Sequence, residues 1–429
     1  MKNTFKFHYS LIAILGLISI GLSSCLKDEC SEIRRFVEFR PVYLQASEFR
    51  VDPEFEESRA FKDPGKIYYY GNYVFINEKF EGVHIIDNSN PETPENLGFI
   101  AIPGNVDIAI RDNIMYADNY PDLISIDIND IRNPQLLCRD QDVFVNYWQD
   151  QNLGYLVRYE ATERSMQLEC SDPNFGDQVI NRGGVLWLVD DLALDGNIPA
   201  GSISNETAQT GTGGSLARFS IAHGHLYVIN NQELTPFDLE SNCPERKETS
   251  YVAWNIETLF PYKEYLFIGA SNGMYIYDAS EPSAPQYVSE FRHANACDPV
   301  FVKDDIAYVT LRNGTICQNF INQLEIIDVS DIRNPEHIVT HSMDNPHGLS
   351  VRDDKLYLCE GAHGLKVFEA GDHLKLADKK IEHIKDIHAI DAISLSAEHL
   401  LVIGDDGLYQ YNTSEPSDLK EMSYYSVQK

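Results

Sequence analysis

Seven polar residues recur at one position of a repeated strand and form the strongest candidate site in the chain. Four are acids, two are basic and one is a histidine, and the steps after Arg218 are 39, 41, 49 and 44 residues. We call them the axial column: Lys66, Asp107, Arg218, Glu257, Asp298, His347 and Asp391. Where such strands surround a common axis, the column places a ring of charge around one end of it.

The chemistry of the axial column allows two functional interpretations and one structural one. Its four carboxylates supply the hard oxygen ligands that Ca²⁺ prefers, so Ca²⁺ is the one metal suggested and no other cofactor is expected. A polar or cationic ligand on the axis is the second interpretation. In the structural alternative the side chains hydrogen-bond neighbouring repeats. The presence of Lys66 and Arg218 among acids favours this internal pairing.

Little in the sequence points to catalysis. The chain has no G-x-S-x-G motif, no Gly-rich phosphate loop and no metalloprotease helix motif. His347, His363 and His388 would form an acid–base cluster with Asp298 and Asp391 if the fold brought them together. The alternative is that these are ordinary polar groups at the end of the axis, so the catalytic residues are left as none.

A unit of about forty residues must position these side chains. A short apolar strand, an acid, a polar turn and a proline recur around Asp87, Asp127, Asp238, Asp278, Asp328, Glu369 and Asn412. The steps between them are 40, 111, 40, 50, 41 and 43 residues. The acid is expected to accept backbone N–H groups of the turn, and proline ends the strand pairing. Glu369 and Asn412 depart from aspartate and predict weaker turns.

Four short strands in each unit predict the blade of a β-propeller, so the fold class is all-β with seven clear four-stranded blades over residues 62–427. The long step contains an insertion at about 141–213. We interpret it either as a degenerate eighth blade or as a hairpin grafted on a seven-bladed ring. Residues 36–45 read as an extended segment, and residues 421–427 are expected to pair with the first blade and close the ring.

Residues 1–24 read as a targeting segment. Lys2 and Lys6 precede an apolar run at residues 11–22 that is short for a membrane span. The run ends in two serines and Cys25, which resembles the lipobox of bacterial lipoproteins. The resemblance implies that Cys25 carries acyl chains such as palmitate and begins the mature protein. An ordinary secretory signal with an incidental cysteine is the alternative.

The segment after Cys25 resembles a second targeting signal. Lys27, Asp28 and Glu29 resemble the lipoprotein export signal of Bacteroidetes, which implies the outer face of the outer membrane. A charged tether that solvates the linker is the alternative. Residues 25–61 are then a lipidated tether and an N-terminal extended segment.

Charge and cysteine count limit the partners and the bridges. The chain has 34 basic and 66 acidic residues, a balance that argues against nucleic acid as a partner. Seven cysteines remain after Cys25, so they cannot all pair internally. Cys297 with Cys317 is the best-placed candidate disulfide. The absence of C-x-x-C spacing argues against a zinc site.

One copy of the repeat carries a family resemblance. LEIIDVSDIRNP around Asp328 is similar to the core of LVIVD repeats, and the resemblance covers residues 62–427. GKIYYYGNYVFINEKFEGVHIIDNSNPETP is similar to uncharacterised surface lipoproteins of this family in Bacteroidetes. The resemblance implies a propeller at the bacterial surface and implies no agreed activity.

Three functions remain open from the sequence. The first, which we favour, is a binding or protein-interaction module in the bacterial envelope, with the membrane, envelope proteins or glycans as partners. The second is an extracellular enzyme acting on a glycan or other polymer, and the third is a structural envelope protein. Trp148, Tyr147 and Trp254 would stack on sugar rings if exposed, and belong to the core otherwise.

Overall fold

The computed structural model describes residues 31–144, 147–169, 179–182, 185–189, 215–216, 218–292, 299–312 and 322–428. The chain divides into two compact units: Pro41–Tyr159 with Asp195–Lys429, and Met1–Arg40 with Glu160–Leu194. Within the described ranges, no helix is long and apolar enough to cross a membrane.

The described secondary structure is almost entirely β. The first strands are β1 Ser31–Leu44, β2 Glu54–Glu56, β3 Pro64–Tyr70, β4 Tyr73–Glu78, β5 Gly82–Asp87, β6 Glu95–Ala101, β7 Ile108–Arg111, β8 Ile114–Asn119, β9 Asp122–Asp127, β10 Gln135–Asp140, β11 Gln149–Asp150, β12 Gly154–Glu169, β13 Val179–Arg182 and β14 Val185–Val189. The next are β15 Phe219–Ala222, β16 His225–Ile229, β17 Glu233–Asp238, β18 Glu245–Arg246, β19 Ser250–Tyr251, β20 Ile256–Tyr262, β21 Tyr265–Ala270, β22 Gly273–Asp278 and β23 Gln286–Arg292. The last are β24 Val300–Lys303, β25 Ile306–Leu311, β26 Gln323–Asp328, β27 Glu336–Ser342, β28 Leu349–Arg352, β29 Lys355–Cys359, β30 Leu365–Glu369, β31 Lys380–Ile384, β32 Asp391–Ser396, β33 His399–Gly404, β34 Gly407–Asn412 and β35 Lys420–Ser426. A four-residue helix, α1, spans Ala46–Phe49, and a 3₁₀ helix spans His373–Lys379.

Sheets of the larger unit repeat one antiparallel meander. They are sheet 1 (β3–β6, with β2 on its outer edge), sheet 2 (β7–β10), sheet 3 (β15–β17, with β18 and β19 sharing the fourth position), sheet 4 (β20–β23), sheet 5 (β24–β27), sheet 6 (β28–β31) and sheet 7 (β32–β35). The first strand of each sheet lies against the first strand of the next, and β3 also contacts β33 of sheet 7. The sheets therefore close a circle, and the predicted all-β propeller is confirmed.

A further sheet has a different strand order. In the smaller unit, β14 pairs with β1 on one side and with β13 on the other, which combines the N-terminal segment with strands of the insertion. Phe36 to Phe39 of β1 pair antiparallel with Leu186 to Val189 of β14. The extended segment expected at residues 36–45 is therefore confirmed over Phe36–Leu44. The part of the insertion between residues 190 and 214 lies outside the described residues.

The middle strands are apolar without alternation because neighbouring sheets cover both of their faces. In β21, Leu266 and Ile268 pack in a cluster with Tyr227 of sheet 3. Phe267 points the other way and packs with Val300 of sheet 5. A strand buried on both sides gains hydrophobic stabilisation from every residue, which explains the continuous YLFIGA run.

The repeated acids cap the turns, as the sequence predicts. In each turn the strand-terminal side chain accepts the backbone N–H two residues later at 2.8–2.9 Å, for Asp87, Asp127, Asp238, Asp278, Asp328 and Asn412. The Asn412 turn thus has the same geometry as the aspartate turns. Glu369 differs, since its carboxylate pairs with Lys355 at 3.0 Å and a 3₁₀ helix follows.

The circle closes through packing and one backbone bridge. The C-terminal strand β35 pairs with β34 of its own sheet, and among the described residues after it Val427 forms one parallel bridge, with Phe61. Ser423 Oγ also donates to the carbonyl of Pro91 at 2.8 Å. Residues of sheets 1 and 7, among them Ile67 and Leu401, share one apolar cluster. The strand pairing expected from residues 421–427 is therefore reduced to a single bridge, and side-chain packing does the rest.

A disulfide joins sheets 2 and 3, which the insertion separates in sequence. Cys138 of β10 pairs with Cys243, in the turn after β17, across 105 residues and with a Cα–Cα distance of 5.5 Å. Beside it, Arg246 forms an ion pair with Asp140 at 2.8 Å. The pair predicted from sequence, Cys297 with Cys317, lies outside the described residues.

Removing the disulfide should destabilise the propeller, because the bond restricts a long loop of the unfolded chain. We expect Cys138→Ser to lower the free energy of unfolding by about 2–5 kcal/mol, measured by urea denaturation. Cys243→Ser and the double variant should match the single variant, since each breaks the same bond. A non-reducing peptide map that finds Cys138 as a free thiol would contradict the pairing.

The hydrogen bond from the strand-terminal acid to the turn should survive replacement of the carboxylate by an amide but not by an alkyl group. We expect Asp328→Ala to lower the free energy of unfolding by about 1 kcal/mol, because the N–H of Ser330 loses its acceptor. Asp328→Asn should change it little near neutral pH, as Asn412 makes the same bond. The hydrogen bonds from Ser330 also hold the pKa of Asp328 below its usual range, so its contribution is lost as pH falls through that lowered pKa. Equal denaturation curves for the alanine variant and the native chain would rule out this role.

Candidate binding site at the propeller axis

Two members of the axial column form a buried ion pair between neighbouring sheets. Lys66 lies in β3 and Asp107 immediately precedes β7. Lys66 Nζ donates to Asp107 Oδ2 at 3.1 Å, with side-chain exposures of 7% and 0%. Removing both charges from water carries a large desolvation cost, so this contact needs the further bonds that surround it.

Four acids at the ends of second strands fix the loops that enter the first strands. We call them the entry acids: Glu78, Asp118, Glu360 and Asp406. Each accepts backbone N–H groups of the loop that leads into its own sheet, from residues 62 and 63, 106 and 107, 344 and 345, and 388 respectively. These N–H groups precede the first strand and have no ladder partner, so a buried carboxylate satisfies them.

The entry acid Asp118 also anchors the strand that follows the insertion. Its Oδ1 accepts the backbone N–H of Asp107 at 2.9 Å and the Asn105 amide at 2.8 Å. Its Oδ2 accepts the guanidinium of Arg218 at 2.8 Å. The backbone N–H of Arg218 donates to Asp107 at 3.1 Å. Two carboxylates of sheet 2 therefore hold the start of sheet 3.

The residues just before Arg218 lie between sheets on the far side of the axis. Ser215 donates its backbone N–H to Asp391 Oδ1 at 3.2 Å, and its hydroxyl accepts the N–H of Leu349 at 2.8 Å. Leu216 is 4% exposed. Sheets 2, 6 and 7 are thus connected through one short segment at the axis.

Burial has the largest effect on the pKa values of Lys66 and Asp107. Desolvation lowers the pKa of Lys66 to about 8, although the Asp107 charge opposes the change. Desolvation likewise raises the pKa of Asp107 to about 6 against the charges of Lys66 and Arg218. Near neutral pH both groups remain charged, but each sits within two pH units of losing its charge.

The other members of the axial column differ in environment. Glu257 is half-buried in β20 and accepts the Asn255 amide at 2.7 Å. His347 is 6% exposed, and burial, with Arg312 and His388 nearby, holds its pKa well below the usual range, so it is neutral. Asp391 is 1% exposed at the start of β32. Asp298 lies outside the described residues.

The histidines proposed as an acid–base cluster are held in separate contacts. His347 lies near the Asn345 amide at 3.2 Å, and His388 lies 3.5 Å from Asp405. His363 is exposed. Across the described part of the chain, no three His, Cys, Asp or Glu side chains are grouped so as to hold a metal ion.

A small pocket opens beside the buried pair. It has a volume of about 50 Å³ and lies among sheets 1, 2 and 7, next to Leu216. Its polar lining comes from Lys66, Asn77, Lys79, Asp391 and Asp405, and its apolar lining from Pro64, Val106, Leu216 and Ile390. Apolar walls with a few fixed polar groups are the usual composition of a ligand site. We call it the axial pocket.

The aromatic residues noted in the sequence are divided between surface and core. Trp148 and Trp254 are 57% and 62% exposed, as is Tyr251 at 64%. Tyr147 is half-buried and packs edge-on against Tyr120. The two tryptophans are therefore available to a partner, whereas Tyr147 belongs to the packing around the axis.

The entry acids were not predicted from the sequence, although a pattern in the sequence marks them. Each ends a strand already visible in the repeat, in NYVFINE, NIMYAD, KLYLCE and LLVIGDD. A second acid about ten residues before the turn acid marks Glu78, Asp118 and Glu360 in their repeats. Ser215 and Leu216 leave no such signal, because only the closed circle brings them to the axis.

The shifted ionisation of Lys66 can be measured directly. We expect its acetylation by trace acetic anhydride, followed by mass spectrometry, to inflect near pH 8 in the native protein. The unfolded chain is the control, where the same lysine should titrate near about 10.4. Because the folded pKa is the lower one, the stability that Lys66 contributes is lost as pH falls through about 8. An inflection at the unfolded value in the native protein would contradict the buried environment.

Comparison with known proteins supports the fold alone. No family model matches the chain, and no curated protein matches it significantly. Among solved structures, a periplasmic gluconolactonase of Pseudomonas aeruginosa is 10% identical, with a TM-score of 0.50, covering 92% of this chain and 96% of that one. BamB of Moraxella catarrhalis is 11% identical (TM-score 0.46; 87% and 88% covered), and the computationally designed Ika8 is 10% identical (0.49; 87% and 92%). The chain is therefore similar to β-propeller proteins in structure.

Proposed function

We propose that the protein is a lipid-anchored β-propeller of the LVIVD-repeat type that acts as a binding module on the surface of the outer membrane. Residues 1–24 serve as the signal peptide, Cys25 as the acylated residue, residues 25–61 as the tether and residues 62–427 as the propeller, with its insertion at about 141–213. The lipobox-like sequence and the Lys27-Asp28-Glu29 signal support this address. Both lie outside the described residues.

The axial pocket is the observation that carries the binding role. Its wall contains Lys66 and Asp391, which are fixed by bonds to Asp107 and Ser215 respectively. Fixed polar groups around a preformed cavity favour recognition, because little ordering remains to be done when a ligand arrives.

The disulfide supports an exported location. Bonds such as Cys138–Cys243 persist in oxidising compartments and are rare where thiols are kept reduced. The exposed Trp148 and Trp254 supply a second contact surface for an envelope protein or a glycan. The proposal thus combines an anchored body, a pocket at its axis and aromatic side chains at its surface.

Fractionation tests the anchor and the address. In a Bacteroidetes host, Cys25→Ala should move the full chain from the membrane to the soluble fraction, because the acyl chains are lost. Cys30→Ala, five residues on, is the matched control and should stay with the membrane.

Protease treatment of intact cells measures whether the protein is exposed at the cell surface. Protease added outside should degrade the native protein, and changing Lys27, Asp28 and Glu29 to alanine should protect it while leaving it in the membrane fraction. Membrane association of Cys25→Ala equal to that of the control would overturn the anchor. Equal protease protection of the native protein and the triple variant would overturn the surface address.

A further inference from the structure

The axial pocket offers an unused hydrogen-bond donor. Lys66 Nζ carries three N–H groups as an ammonium, and of the described residues only Asp107 accepts one of them. The side chain is 7% exposed and lines the pocket. A buried ammonium with one partner leaves two N–H groups directed to whatever fills the space beside it.

The same pocket offers an unused acceptor. The Asn77 amide nitrogen faces three oxygens, at 2.6 Å from Asn105 Oδ1, 3.2 Å from the Asn105 carbonyl and 3.3 Å from the Gly82 carbonyl. These contacts fix the orientation of the amide. Its Oδ1 is buried and has no hydrogen-bond partner among the residues that the structure describes. Leaving a buried oxygen unsatisfied is unfavourable, so a ligand that donates a hydrogen to it is favoured.

Gly65 places no side chain next to that oxygen. A Cβ built on Gly65 would lie 2.9 Å from Asn77 Oδ1 and 3.4 Å from Lys79 Cγ. The backbone of Gly65 is not in the left-handed region, so nothing in its conformation requires glycine. Its lack of a side chain instead opens the space in front of the Asn77 oxygen.

The charges of the lining are balanced in sign. Lys66 and Lys79 stand against Asp391 and Asp405. A simple anion would be repelled by the two carboxylates, and a simple cation by the two ammonium groups. A ligand that carries both charges finds groups of both signs in the lining.

The volume limits the ligand to a few atoms. The pocket of about 50 Å³ has room for about four water-sized groups. Pro64, Val106 and Ile390 close it with apolar surface against which a methyl or methylene group packs.

We propose that the axial pocket binds a small zwitterion, an α-amino acid with hydrogen or methyl as its side chain. The carboxylate accepts the free N–H groups of Lys66, and the ammonium donates to Asn77 Oδ1 on the side lined by Asp391. The inference rests on the proposed binding role and names the ligand class for that site.

Calorimetry on the full chain, purified in detergent, tests the ligand class. Glycine and alanine should bind, and acetate or methylammonium, each with half of the zwitterion, should bind about ten-fold more weakly or worse. Leucine should not bind, because its side chain exceeds the pocket. Equal affinity for acetate and glycine, or no heat with either amino acid, would overturn the proposal.

One substitution blocks the site and another serves as its control. Gly65→Ala places a methyl group before the Asn77 oxygen and should weaken glycine binding by about ten-fold or more. Gly371→Ala adds the same methyl group in a turn of sheet 6, where its nearest contact is Asp354 at 3.9 Å, and should leave binding unchanged. Undiminished binding by Gly65→Ala would overturn the assignment of the site.

A third variant covers the case in which Gly65→Ala lowers the melting temperature. Lys79→Ala removes one charge from the lining and its partly exposed ion pair with Asp63, so the fold should be retained. Glycine binding should weaken several-fold, and unchanged affinity would count against the charge balance. Failure of these experiments with a normal membrane fractionation would remove the ligand class and leave the anchored propeller standing.

Discussion

The carboxylate of Asp118 is the contact on which the axis depends. One of its oxygens accepts the backbone N–H groups of Val106 and Asp107 and the amide of Asn105, and the other accepts Arg218. A carboxylate can satisfy about four donors, and the Asp118 carboxylate accepts from four groups. Because the donors belong to the entry of sheet 2 and the start of sheet 3, one buried side chain fixes the position of both. Lys66 then reaches Asp107 only because Asp118 has placed its backbone.

The same demand explains why acids end the second strands elsewhere in the circle. The loop that enters a first strand carries N–H groups that no neighbouring strand accepts, so a carboxylate of the same sheet accepts them. The carboxylates of Glu78 and Glu360 accept the backbone N–H groups of Asp63 and Asp344 at 2.6–2.7 Å. Where the insertion separates sheets 2 and 3 in the sequence, the disulfide between Cys138 and Cys243 joins the outer parts of the two sheets.

The sequence was informative wherever the interaction is local. Strand, acid, turn and proline follow one another within about ten residues, so the meander and the bond from Asp328 to Ser330 could be predicted. The repeat also predicts a column of charged residues at the strand starts, because it fixes their register. Contacts made only by closing the circle were not readable. Ser215 meets Asp391 across 176 residues and Cys138 meets Cys243 across 105, and no periodicity connects either pair.

The charges at the axis are paired internally, and they also fit the proposed binding role. The chain has 34 basic and 66 acidic residues, and at the axis it buries Lys66 and Arg218, where desolvation costs most. Buried ion pairs are often replaced by apolar residues with no loss of stability, so packing alone does not require them. What apolar residues cannot supply is a fixed N–H donor beside a fixed acceptor. Lys66 and Asn77 provide both on the wall of one pocket, which is the arrangement that a small polar ligand needs.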